Sequence, residues 1–299
     1  MNNSTTHITL EKEKSYSKLK DFSMLFKMRL TTTVVITSLI AYAMASGVNF
    51  NVLHFFYLYL GSTLVVGAAN GINQIIEKDF DALMSRTANR PVAANRLNSN
   101  EAAIFCIFTG VLGVFILSYI FNPISGILAV FALISYAFVY TPVKRIGPAA
   151  VLVGAFPGAV APLIGWTCAT GEIGLGAIML FVIQFAWQFP HFWAIAWVLD
   201  DDYKKAGYRL LPSSAGRNNS SAIQILIYTV ILVPVGMLPY FFEVSGIISL
   251  IFGAILGLYM TYLAYKLYQE KTIKTAKALM YGSFLYLPLI FTIIWLDKI

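Results

Sequence analysis

Six of the fourteen Asp and Glu residues in the chain fall into two patches: Glu77, Asp79 and Asp81, and the run Asp200, Asp201 and Asp202. The first patch has helical spacing. Asn73, Glu77 and Asp81 stand at i, i+4 and i+8, so a continuous helix puts them on one face, and Asn70 joins them there. Two amides and two carboxylates in a row are hard oxygen donors. So few carboxylates suit Mg²⁺, which keeps waters and shares its shell with substrate phosphates. Basic residues follow at once, Arg86 and Arg90 in the run Arg86-Thr87-Ala88-Asn89-Arg90-Pro91, and Lys144 and Arg145 further on. Carboxylates alone repel a phosphate, but a metal held by them attracts one, together with arginines that bind its oxygens bidentately.

The second patch is less sharply defined. Adjacent helical residues point about 100° apart, so three consecutive aspartates cannot all reach one metal, and one or two of them face the site. Upstream of it, Gln184, Gln188 and His191 are spaced i, i+4 and i+7 inside an apolar run, with Trp187, Trp193 and Trp197 around them and a kink expected at Pro190. Hydrogen bonding between helices accounts for such residues singly. Together they read as the wall of a pocket below the acidic mouth, where His191 has a ring nitrogen able to take a metal or a haem iron.

The elements that must position these residues are membrane helices. The 299 residues are 58% hydrophobic and 12% charged, with mean hydropathy +0.72, and apolar runs long enough to cross a bilayer follow one another closely. Nine are expected, over 24–47, 53–76, 101–121, 123–141, 148–168, 173–199, 222–242, 246–268 and 276–296. The single residue Asn122 between the third and fourth implies a tight hairpin. Twenty of the 21 Lys and Arg residues fall on the side of the N-terminus, which the positive-inside rule makes cytoplasmic. The C-terminus then lies outside and both acidic patches lie on the cytoplasmic side. The pI near 9.3 therefore reflects topology and not nucleic acid, for which no partner role is expected. The fold class is all-α and polytopic, nine transmembrane helices around a central cavity open to the cytoplasm. A polar tail over 1–22 precedes a single domain over 23–299. The first apolar run reads as a retained helix and not a cleaved signal, because everything after it is also apolar. Cys106 and Cys168 read as packing residues.

Asn73-x3-Glu77-x3-Asp81 followed by Arg86-Thr87-x2-Arg90-Pro91 resembles the first acidic motif of the UbiA-type intramembrane prenyltransferases, and Tyr140-x3-Lys144-Arg145 resembles their basic loop. The run Trp187-Gln188-Phe189-Pro190-His191-Phe192-Trp193, with Asp202-Tyr203-x3-Gly207 and Leu211-Pro212 after it, is similar to the branch of that family that farnesylates haem. The likeness spans all nine segments and is strongest over 70–212. The second patch departs from the wider family's D-x3-D spacing, so Asp202 transfers first and Asp201 second. The resemblance implies Mg²⁺ on Glu77, Asp81, Asp201 and Asp202, with the diphosphate of farnesyl diphosphate neutralised by Arg86, Arg90, Lys144 and Arg145, and Asn73 and Tyr140 beside it. Gln188 and His191 would face haem b, a substrate in the family, in a multi-pass protein of the cell membrane. Haem-handling or oxidase-assembly proteins would take the product.

Two other functions are open to the same residues. A prenyltransferase with a quinone precursor or another tetrapyrrole as acceptor would keep the acidic mouth, though the Trp-Gln-x-Pro-His run speaks against that reading. A secondary transporter of an anionic solute would place its site near the midplane, open alternately to both sides, whereas these acids gather on one side.

Overall fold

The computed structural model describes residues 17–299. Of the polar tail expected over 1–22, residues 1–16 lie outside the described residues. A leading helix, Lys18–Leu25, is capped by Ser17 and tied down by Asp21, which pairs with Arg96 at 3.0 Å. Lys27 turns the chain with φ +50°. Among the described residues nine helices are long and apolar enough to cross a membrane: α1 Met28–Asn49, α2 Val52–Ile76, α3 Ser99–Phe121, α4 Pro123–Val143, α5 Ala149–Thr170, α6 Leu175–Lys205, α7 Asn219–Phe241, α8 Ile247–Glu270 and α9 Ile273–Leu296. A short helix, Lys78–Leu83, follows α2. The protein is a multi-pass membrane protein.

Helices adjacent in sequence pair as hairpins, α2 on α3, α5 on α6 and α7 on α8, while α1 lies against α5 and α9 packs on α6 and α1. The hairpin at Asn122 has the expected form. Its side chain accepts from Ser125 N at 2.9 Å, capping α4, and donates to the Thr167 carbonyl at 2.7 Å, anchoring the turn to α5. Outward positions such as Ile104, Ile107, Phe108, Val111 and Phe115 on α3 are exposed, an apolar face that suits lipid.

The backbones of α1 and α5 approach closely. A Cβ on Gly165 would stand 1.9 Å from the Ser38 carbonyl oxygen, and one turn earlier Ser38 Oγ donates to the Ala161 carbonyl at 2.7 Å. Small residues let membrane helices approach this closely. The obstacle is backbone, which cannot swing aside. Gly165→Ala is therefore expected to push α1 and α5 apart at a cost of about 1–3 kcal/mol, read as a melting midpoint several degrees lower in detergent.

One boundary differs from expectation. α6 continues to Lys205, so the three aspartates are on the helix and not beyond it. The apolar run ends at Val198 and Leu199, but Asp200 pairs with Lys204 at i, i+4, and Lys204 and Lys205 occupy the last turn, where cations favour the helix dipole. The same helix passes unbroken through Pro190.

Candidate active site

A cavity of about 630 Å³ opens between α1, α2, α4, α5, α6 and α9. At one end stand all of its charged lining residues, Lys27, Glu77, Asp81, Arg86, Arg90 and Lys144. Glu77 sits where α2 ends, with φ −95° and ψ 9°, yet the backbone bonds Glu77 N to Asn73 O and Asp81 N to Glu77 O carry the four-residue spacing across the break. The Asn73–Glu77–Asp81 stripe thus keeps one face, and all three residues are buried. Asn73 donates from Nδ2 to Glu77 Oε2 at 2.8 Å and to Thr141 Oγ1 at 3.1 Å. Lys144 Nζ lies 2.8 and 2.9 Å from the two Glu77 oxygens, and the Tyr208 hydroxyl donates to Oε1 at 3.3 Å.

Asp81 is paired through Oδ2 with Arg90 Nη1 at 2.6 Å. Thr87 Oγ1 donates to the Asp81 carbonyl at 2.8 Å, which folds the 84–90 turn back so that Arg90 reaches the carboxylate. Tyr140 lines the cavity below Lys144, whose ammonium is 5.0 Å from the ring centre.

The other expected residues are placed differently. Arg145 donates to the Ile76 carbonyl at 3.2 Å and lies over the Phe80 ring at 4.2 Å, away from the cavity lining. Asp202 accepts from Ser85 N at 2.9 Å, Ser85 Oγ at 2.8 Å and Arg86 N at 3.3 Å, joining the end of α6 to the turn that carries Arg86. Asp201 is 73% exposed and pairs with Arg217 at 2.9 Å. Neither aspartate lines the cavity.

Charge at the mouth is unequal. Four cations face two carboxylates, an excess that draws a polyanion. Burial pushes the Glu77 carboxyl up, but the Lys144 ammonium, with Lys27 and the Asn73 amide, outweighs burial and holds it below its ordinary value. Burial first, then repulsion from Arg90 and Lys144, pushes Lys27 well below the ordinary lysine value against the pull of Glu77 and Asp81.

A divalent cation has a partial seat. Among the described residues no three His, Cys, Asp or Glu side chains converge on a metal. Asp81 Oδ1, however, is a buried carboxylate oxygen with no hydrogen-bond partner, an arrangement that costs free energy unless something positive meets it. With Glu77 on the same face, the donor set fits an ion that takes its remaining ligands from phosphate and water.

The body of the cavity is apolar, with Val34, Val65, Ala69 and Leu133 on one side and Trp187, Phe192, Phe284 and Leu287 on the other. The glutamine stripe has a structural duty here. Pro162 lacks an N–H, so the Gly158 carbonyl has no i+4 donor; Gln184 Nε2 supplies one at 2.6 Å. Gln188 Nε2 donates to the Ala155 carbonyl at 2.9 Å, its amide lying where a Gly158 Cβ would be only 2.1 Å from Oε1. His191 lines the cavity, stacked on Trp187 at 4.2 Å and 18°.

Sequence reasoning took Lys27 for a topological charge. The structure puts it in the mouth, donating to Asn73 Oδ1 at 2.9 Å. The signal was its register: Lys27, Leu30, Val34 and Thr37 follow helical spacing and all line the cavity. Tyr208 and Ser283 had no such signal, since each reaches the site from a remote segment.

A membrane-buried bundle with a cationic, carboxylate-bearing mouth above a long apolar cavity defines an intramembrane protein built to take amphipathic anions. Residues 34–288 match the UbiA prenyltransferase family. The chain is 43% identical over 283 residues to the protoheme IX farnesyltransferase of Cytophaga hutchinsonii, covering 95% of this chain and 99% of that one. It is 41% identical to that of Flavobacterium psychrophilum over 94% and 95%. The fold resembles a digeranylgeranylglyceryl phosphate synthase structure, with TM-score 0.76 at 20% identity over 93% and 98% of the two chains. It also resembles a UbiA homologue from Archaeoglobus fulgidus bound to GPP and Mg²⁺, with TM-score 0.71 at 15% identity over 92% and 99%. The chain belongs to the UbiA prenyltransferase family and is a membrane-embedded prenyltransferase.

Proposed function

We propose that the chain transfers the farnesyl group of farnesyl diphosphate to a vinyl group of haem b, giving haem O and diphosphate. The observation that carries this reading is the two-part cavity: an ionic mouth with a positive excess, continuous with an apolar body whose wall holds His191 and Trp187. The names of the relatives that match over nearly the whole chain support the same acceptor.

Arg86, Arg90, Lys144 and Lys27 bind the diphosphate oxygens, and Arg86 is free to do so because its guanidinium has no ion-pair partner among the described residues. Glu77 and Asp81 would hold Mg²⁺, which when bound supplies Lewis-acid stabilisation of the leaving diphosphate. Asp202 acts on the mouth by fixing the Ser85–Arg86 backbone; Asp201 would reach the metal only after leaving Arg217. The bond from farnesyl C1 to the diphosphate oxygen breaks, and the cations at the mouth take up the charge that develops there. Val65, Ala69, Leu133 and the aromatic wall keep water from the allylic cation until the terminal vinyl carbon bonds to C1. The charge then on the inner vinyl carbon is quenched by one water, whose remaining proton is released, to give the hydroxyethylfarnesyl group.

The alternation of the basic residues along the sequence, twenty of the 21 falling on the N-terminal side of the nine spans, supports a cytoplasmic N-terminus and mouth in the cell membrane, with the C-terminus outside. Residues 23–299 act as one catalytic unit behind the tail. Haem-handling or oxidase-assembly proteins take the product. Membranes containing the chain, given haem b, farnesyl diphosphate and Mg²⁺, are expected to form haem O, seen by chromatography, and chelation of the metal is expected to stop it. Intact chain in lipid that forms no haem O would overturn the reading.

A further inference from the structure

Ser283, on α9, lies beside His191 and decides which of its ring nitrogens carries the proton. The Ser283 hydroxyl donates to the Met280 carbonyl at 2.6 Å, so its one proton is committed along its own helix. The 2.8 Å contact between Ser283 Oγ and His191 Nδ1 is then satisfied only with Nδ1–H as donor and Oγ as acceptor. This leaves the lone pair on Nε2. That atom has no hydrogen-bond partner among the described residues, is not sealed from the cavity, and belongs to a lining residue. Its ring is also held in place from both sides. Trp187 stacks on one face at 4.2 Å and fixes itself by donating Nε1 to the Ser283 carbonyl at 2.7 Å, and Phe284 meets the ring edge-on at 5.0 Å. A neutral imidazole with a fixed tautomer, one nitrogen bonded behind it and the other presented to an apolar cavity, has the form of a metal ligand supported by its neighbours. One turn further along α6 and α9 the lining residues Ile195 and Leu287 are apolar, and the amides of Gln184 and Gln188 are committed to the Gly158 and Ala155 carbonyls.

We infer that His191 Nε2 is an axial ligand to the iron of the tetrapyrrole acceptor, and that Ser283 is a positioning residue that fixes the imidazole for it. This rests on haem b being the acceptor and adds how it is held. Ligation makes the iron the fixed point of the substrate, so the macrocycle is oriented against the aromatic wall and one edge is directed to the farnesyl group.

The test uses the purified full chain in lipid nanodiscs with haem b and no farnesyl diphosphate. Resonance Raman spectra of the ferrous form are expected to show an iron–histidine stretch. His191→Ala is expected to lose that signal and at least about tenfold in haem affinity, and added imidazole is expected to restore a ligated spectrum. Ser283→Ala is expected to keep the iron–histidine signal but shift its frequency, because Nδ1–H loses its acceptor, with Ser283→Thr returning it; a serine that merely packs would leave the frequency unmoved. Haem O formation is measured in the same preparations. If wild-type chain makes haem O while His191→Ala leaves the haem spectrum unchanged, the ligand assignment is wrong and the farnesyl transfer stands. If wild-type chain neither binds haem nor makes haem O, the acceptor itself is wrong and the ligand falls with it.

Discussion

Asp81→Asn is expected to lower turnover by at least about 10²–10³-fold, the loss typical when a group stabilising developing charge is removed, while the chain remains in the membrane. The carboxylate is 1% exposed, is paired through Oδ2 with Arg90, and leaves Oδ1 without a partner. Asparagine keeps the shape but removes the negative charge that faces the cavity. It also leaves Arg90, 18% exposed, without its counterion, and breaking a buried pair on one side costs up to about 3–5 kcal/mol. Folding and chemistry must therefore be separated, which the melting midpoint of each variant in detergent, measured beside its turnover, does. Were Asp81 only a counterion, the loss of turnover would follow the loss of stability and would not respond to Mg²⁺. A carboxylate that holds a metal predicts instead that Asp81→Asn loses far more turnover than its change in stability explains, and that Asp81→Glu regains activity as Mg²⁺ is raised. Near-normal turnover in well-folded Asp81→Asn would remove Asp81 from the site.

The elements legible beforehand and those that were not differ for physical reasons. All nine spans and the Asn122 hairpin follow from hydropathy and local capping, which depend on residues close in sequence. The Asn73–Glu77–Asp81 stripe was legible for the same reason, since helical spacing is local, and it survives the break at Glu77 because the hydrogen bonds continue across it. What required the folded chain was the direction of each side chain where helices meet. Arg145 follows Lys144 directly, yet one residue enters the mouth and the other stacks on Phe80. The end of α6 was underestimated because hydropathy stops where the aspartates begin, whereas the helix itself is carried on by the Asp200–Lys204 pair. Gln184 and Gln188 line the cavity and also satisfy backbone carbonyls of α5, one of them freed by Pro162, and which carbonyl each one meets is visible only once α5 and α6 are side by side.

Lys144→Met is expected to move the affinities for Mg²⁺ and for diphosphate in opposite directions. With nothing bound, both carboxylates at the mouth are matched: Lys144 holds both oxygens of Glu77 and Arg90 holds Asp81. A cation arriving alone must displace an ammonium from Glu77, and an anion arriving alone must draw Lys144 away from its carboxylate. Each therefore gives up an ion pair in a site with little water to replace it. When both arrive, the partners exchange, carboxylate to metal and ammonium to phosphate, and neither Glu77 nor Lys144 is left without a counterion. Binding of the two is then coupled, each tightening the other by the same factor, of order 5–150-fold for typical coupling energies. Methionine keeps much of the side-chain length without the charge. Glu77 is then released to bind Mg²⁺ more tightly in the absence of diphosphate, while diphosphate loses a cation and binds more weakly, and the coupling between them shrinks. Isothermal titration of the purified chain with Mg²⁺ alone, with inorganic diphosphate alone, and with each in the presence of the other measures all four quantities. Lys144→Arg, which keeps the charge, is expected to retain the coupling. If Lys144→Met instead weakens Mg²⁺ binding, Glu77 is not the group that exchanges its lysine for the metal.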